Sequence, residues 1–60
     1  MTLYTDPVKA LAEADFLASR LMQTVFLVDA GNQIIEVSRS YMDTDTVLEI
    51  VRPIYDEVAR

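Results

Sequence analysis

Val25-Phe26-Leu27-Val28, then Asp29-Ala30-Gly31, then Ile34-Ile35-Glu36-Val37 is the stretch on which the fold turns. Its two halves are rich in β-branched and aromatic residues, which suit a pleated, packed surface. The Asp-Ala-Gly between them suits a three-residue hairpin loop ending at positive φ, where the only Gly belongs. The pattern predicts a β-hairpin. A strand with one face in water alternates apolar and polar residues, and the first half, apolar at four successive positions, does not. Pairing across that loop puts Val25, Leu27, Ile35 and Val37 on one face. Phe26, Val28 and Ile34 fall on the other, with Glu36 and Ser38. Both faces therefore need cover.

Upstream, Asp6-Pro7 predicts a helix start: the Asp carboxylate accepts from free N–H groups, and Pro at the first helical position removes a donor that had no partner. From Val8 to about Met22 the chain is made of good helix formers with no Gly or Pro. At about 100° per residue, Ala10, Leu11, Ala14, Leu17, Ala18, Leu21 and Met22 share one broad face. Lys9, Glu13, Ser19, Arg20 and Gln23 lie opposite, and Phe16 sits among them. Before the helix, Leu3 and Tyr4 suit a short edge strand.

Downstream, Arg39-Ser40-Tyr41-Met42 leads into Asp43-Thr44-Asp45-Thr46, residues that favour caps and turns. Thr46 with Glu49 three residues later has the spacing of a capping box. Val47, Leu48, Ile50, Val51, Ile54, Tyr55 and Val58 then keep a helical period, which predicts a second helix, kinked or broken at Pro53. The expected fold is α+β in the order α-β-β-α, one domain over residues 1–60, with two helices on one face of a two-stranded antiparallel hairpin. Dimerisation is expected to extend the hairpin to a four-stranded sheet or to bury its second face.

Sixty residues is a size at which folding buries only about 60% of the unfolded surface, so isolated stability is marginal. With no Cys, disulfides cannot supply the difference; oligomerisation can, and a homodimer is the default. The hydrophobic fraction of 52%, with one Gly and two Pro, argues for a folded chain. No apolar run approaches the roughly 18 residues that span a bilayer, and the region around Asp6 lacks the basic start of a signal peptide. A soluble, cytoplasmic protein without membrane contact is expected. Ten acidic against five basic residues give a net charge of −5, which repels phosphate backbones and disfavours direct nucleic-acid binding.

The chain has neither His nor Cys, which removes the commonest general base, the commonest metal ligand and the thiolate nucleophile. No motif joins Ser19, Ser38 or Ser40 to Lys9, the only lysine. Asp43, Asp45 and Glu49 form the densest acidic cluster but lack the mid-loop Gly of the familiar Ca²⁺ loop, so capping is their expected role. No catalytic, cofactor-binding or metal-binding residue is assigned, and no cofactor is expected.

Aromatic residues, Met and Arg are enriched at protein interfaces, which selects Phe16, Arg20, Phe26, Val28, Ile34, Tyr41, Met42 and Tyr55 as candidate contact residues. Phe16 and the second hairpin face are expected to act as one partner surface. The expected function is a non-enzymatic interaction module, an inhibitor, adaptor or accessory protein that binds another protein. An acidic nucleic-acid mimic that blocks a basic groove, and a structural subunit of a larger assembly, are the alternatives. In size and composition, though in no motif, the chain is similar to short accessory or inhibitor proteins carried by phages and mobile elements.

Overall fold

The computed structural model of the chain describes residues 2–53. Strand β1 (Thr2–Tyr4) is followed by helix α1 (Pro7–Leu21) and strands β2 (Val25–Asp29), β3 (Ile35–Ser38) and β4 (Thr46–Val51). The class is α+β, but the order is β-α-β-β-β rather than α-β-β-α, and one described helix stands where two were expected. All neighbouring strands are antiparallel, in the order β1-β3-β2-β4. Four strands are thus reached within one chain, without a second copy.

The helix begins as its sequence requires. Asp6 is the N-cap, the Val8 N–H donates to its Oδ1 at 2.9 Å, and Pro7 opens the first turn. It ends at Met22, which takes the left-handed conformation (φ 55°, ψ 44°) more usual for Gly, and whose N–H bonds to the Ala18 carbonyl. Ala10, Ala14 and Ala18 are fully buried, and Leu17 packs beside them. Spaced four apart, these small side chains let the helix axis lie close to the sheet. Leu11, Leu21 and Met22, expected on the same buried face, lie at its margins and are exposed.

Strands β2 and β3 form the expected hairpin. Leu27 faces Val37 and Asp29 faces Ile35, so Val25, Leu27, Ile35 and Val37 share the helix side, where three are buried and Ile35 packs against them. The loop differs from the expected Asp29-Ala30-Gly31. Ala30 N–H bonds to the Ile34 carbonyl, and the tight turn is closed by the Ile34 N–H on the Gly31 carbonyl. Gly31, Asn32 and Gln33 all have positive φ (85°, 54° and 63°), the sign that a primed hairpin turn demands at its centre. Asp29 helps by accepting the Gly31 N–H at 2.8 Å.

The second predicted helix is the main correction. Thr46–Val51 is a strand, antiparallel to β2, with Ile50 facing Phe26, Val51 facing Val25 and a bulge between the pairs at Leu27 and Val28. The intervals that looked helical are also met by a bulged strand, because the extra residue, Leu48, shifts the alternation by one. Thr46, Val47, Ile50 and Val51 are β-branched, which favours a pleated surface once a partner strand exists. Pro53 follows the strand instead of kinking a helix, and Ile54, Tyr55 and Val58 lie outside the described residues.

Two crossovers build the sheet. From β1 to the parallel β2 the chain passes through α1 on one face, and from β3 to the parallel β4 it returns through residues 39–45. Both connections step the same way across the sheet from oppositely directed strands, so they share one hand only by using opposite faces. Residues 39–45 accordingly lie over the face that α1 leaves open. This explains the apolar run in β2: it is an inner strand with Val25 and Leu27 beneath the helix and Val28, only 3% exposed, on the other side.

Candidate functional site

The strand registers write out the open face row by row. Leu3, Glu36, Val28 and Val47 form one row across the four strands, and Ser38, Phe26 and Ile50 form the next. Tyr41 comes down on this face from the 39–45 strap, with its ring edge-on to Phe26 at a centroid distance of 4.8 Å and an interplanar angle of 67°. That geometry sets the positive ring edge against the negative face and is the favourable arrangement for an aromatic pair.

Two small hydrogen-bonded turns hold the strap. At its start the Ser38 hydroxyl donates to the Ser40 carbonyl at 2.7 Å, and the Ser40 N–H donates to Ser38 Oγ at 3.2 Å. At its end the Met42 N–H donates to Asp45 Oδ2 at 2.8 Å, while the Asp45 N–H donates to the Met42 carbonyl at 2.9 Å. Asp45 therefore closes a turn ahead of β4; it does not cap a helix. The competition between side-chain and backbone acceptors that makes Asp a good cap makes it an equally good turn residue.

The eight predicted contact residues do not form one surface. Phe26 and Tyr41 are in contact, with Val28 on the same sheet face and buried, and Met42 follows on the strap at 67% exposure. Ile34 lies in the hairpin turn, half-buried. Phe16 is 57% exposed on the outer side of α1, with the Arg20 guanidinium 6.0 Å from its ring centroid. The whole sheet separates that pair from Phe26, so the expected union of Phe16 with the second hairpin face is overturned. Tyr55 lies outside the described residues. Sequence reasoning missed Leu3 and Ile50, both exposed at the margins of the open face. Their signal was the alternation within Thr2–Tyr4 and Glu49–Val51, which only pairing makes readable.

On the helix side, Tyr4 packs against the core beside Glu13 of α1. Desolvation, then the Glu13 charge and a hydrogen bond to it, hold the Tyr4 hydroxyl pKa above its ordinary 10.0. Glu13 is accordingly half-buried, not on the fully polar face its spacing suggested.

Two open clefts flank the core. One of about 560 Å³ lies between the C-terminal half of α1 and the end of β3, lined in part by Leu17, Leu21, Ser38 and Arg39. The other, about 510 Å³, lies at the opposite end between Pro7, the hairpin turn and Leu48. Lys9, near the start of the helix, is remote from Ser19, Ser38 and Ser40, which lie toward the other end, so no Ser-Lys pair is assembled. Among the described residues there is no group of three acidic, His or Cys side chains able to hold a metal ion, and no buried side-chain polar atom lacks a partner. No described helix is long and apolar enough to cross a membrane.

No family model, curated protein or solved structure matches the chain.

Proposed function

We propose that the chain is a non-enzymatic protein-interaction module. It presents the open sheet face, with Phe26, Tyr41, Met42, Ile50 and Leu3, to another protein, and works as a homodimer in an inhibitory, adaptor or accessory role. The observation that supports this reading is an imbalance of apolar side chains. Beside the three helix alanines, the buried core consists of four valines and one leucine, while ten large apolar residues are exposed among those described. Four of the ten belong to the open side: Leu3 and Ile50 on the two edge strands of that face, and Tyr41 and Met42 on the strap. Exposed apolar side chains with aromatic and Met content on one side of a sheet are the usual signature of a contact site.

The test compares capture of binding proteins from the native cell by the wild type, a Tyr41→Ser/Met42→Ser variant and a Phe16→Ser variant. The same protein should be retained by the wild type and by Phe16→Ser, even at about 0.5 M salt, where charge attraction is strongly screened. It should be lost by Tyr41→Ser/Met42→Ser. Equal capture by all three chains contradicts the proposal, and so does capture that disappears in salt, which is the behaviour of an acidic mimic.

A further inference from the structure

Among the described residues, strand β4 is an edge of the sheet along its full six residues, with Glu49 its only charge. Edge strands expose unpaired backbone groups, and natural ones are commonly protected by charge, brevity or a bulge. The opposite edge, β1, is protected by being three residues long. Strand β4 has one bulge and one charge, and its Leu48 and Ile50 are exposed.

Among the described residues, the charges at the two ends of these elements differ in sign along the strand axis, with Glu13, Asp15, Glu36 and Glu49 between the ends. Arg20 lies in the last turn of α1, Arg39 directly follows β3 and Arg52 directly follows β4, and the registers put these three elements' ends at one end of the molecule. Asp6 at the helix N-cap, Asp29 at the end of β2, and Asp43 and Asp45 ahead of β4 lie toward the other, with Lys9 the one base among them. A second copy turned end for end beside the first brings each basic end to an acidic end.

We propose that two copies join edge to edge through antiparallel β4 strands, in the register that places Asp45 of each opposite Arg52 of its mate. Thr46 then faces Val51, Val47 faces Ile50, and Leu48 faces Glu49 across the twofold axis. Three features select this register, the first of them a consequence of the second. The paired residues lie on the same side of the sheet in both copies: Thr46 and Val51 are on the helix side by their pairing with Asp29 and Val25, and Val47 and Ile50 are on the open side by their pairing with Val28 and Phe26. The two bulges meet each other at the axis, so neither ladder is left one residue out of step. Sliding by one residue in one direction sets Glu49 against Glu49; in the other it sets Val51 against Asp45, and the charge pairs are lost. The contact is isologous and closes as a dimer with one continuous eight-stranded sheet, doubling the open face. This rests on the reading of the chain as a dimeric interaction module and adds the surface and register.

The contact is small beside a standard interface, so dissociation in the range of about 1–100 µM is expected. Sedimentation equilibrium in about 0.15 M salt, across that range, should show a mass rising from one to two chains. Leu48→Glu sets carboxylate against carboxylate twice at the axis, and Leu48→Lys sets lysine against Glu49 twice. The lysine variant should therefore dimerise at least about tenfold more tightly than the glutamate variant. Ser19→Glu and Ser19→Lys, exposed on α1, change net charge equally and should show no such split. Arg52→Glu, which leaves β4 itself untouched, should weaken the dimer about tenfold. A chain that stays monomeric throughout overturns the proposal, and a dimer equally sensitive to both Leu48 variants overturns the register. If Tyr41→Ser/Met42→Ser still loses its captured protein, the interaction face stands in either case: a monomer removes the homodimer from the proposed function, and equal sensitivity removes only the register.

Discussion

The two faces of the sheet are closed by different means. On one side, fifteen residues of α1 lay three alanines onto Val25, Leu27, Val37 and Val51, giving a dry contact with almost no side-chain freedom to lose. On the other, seven residues without regular structure hold one ring against Phe26, and Val28 is the deepest side chain beneath them. The helix side is a core in the ordinary sense. The strap side is a partial closure with apolar margins, and a partner can extend it where it could not enter the first. The proposed interaction function is assigned to the less completed face because burial there is still available.

The largest way to break this contrast is to overpack the helix side. Ala14→Leu inserts a branched side chain where no space exists and should cost about 3 kcal/mol in a denaturant titration, enough to unfold much of a marginal chain. Tyr41→Ala acts on the strap side, where half of the side chain already faces water, and should cost only about 1.5 kcal/mol for the lost aromatic pair with Phe26 and the apolar area it buries. A strap variant as damaging as the helix variant would erase the distinction between the faces. Substitutions at the joints serve both faces alike. Met22→Gly and Gln33→Gly relieve positive φ at exposed positions and should each add about 1 kcal/mol, read as a higher denaturant midpoint.

The smallest effect is confined to the helix side and appears only in alkali. Because the Tyr4 pKa is raised in the folded chain, its contribution to stability is complete below the ordinary value of 10.0 and is lost as pH rises through the higher folded value. Tyr4→Phe should remove that component of the alkaline decline in the denaturant midpoint, while Tyr41→Phe leaves it in place.

Much of the helix side was legible because its signals are local. Asp6-Pro7 fixes the helix start through a cap two residues long, and the alternation of Val25, Leu27, Ile35 and Val37 fixes their common face within a single hairpin. Strand β4 was misread for the opposite reason. Its partner, β2, lies about twenty residues upstream, and the bulge at Leu48 makes its apolar spacing compatible with a helical period. Thr46 and Glu49 add the spacing of a capping box, though β-branching at Thr46, Val47, Ile50 and Val51 favoured a strand. With β4 misplaced, the 39–45 crossover was invisible, so the apolar second face of β2 was credited wholly to a partner although the chain itself covers Val28. Phe26 and Tyr41 come together because Tyr41 belongs to that crossover and Phe26 to the strand it passes over, and Met42 is the next residue along. Phe16 separates from them because a helix on one face and a strap on the other cannot share a surface.

The difference between the faces is most directly measured with single cysteines in this otherwise cysteine-free chain. Val25→Cys places the thiol beneath the helix and Val28→Cys places it on the strap side, both at near-constant volume. The rate of thiol modification at position 28 should be nearly independent of denaturant at low concentration, because lifting the strap is a local opening, whereas at position 25 it should climb steeply, because only global unfolding exposes it. Equal denaturant dependence at the two positions would mean that strap and helix open as one unit, and the account of a complete face and a partial face would be wrong.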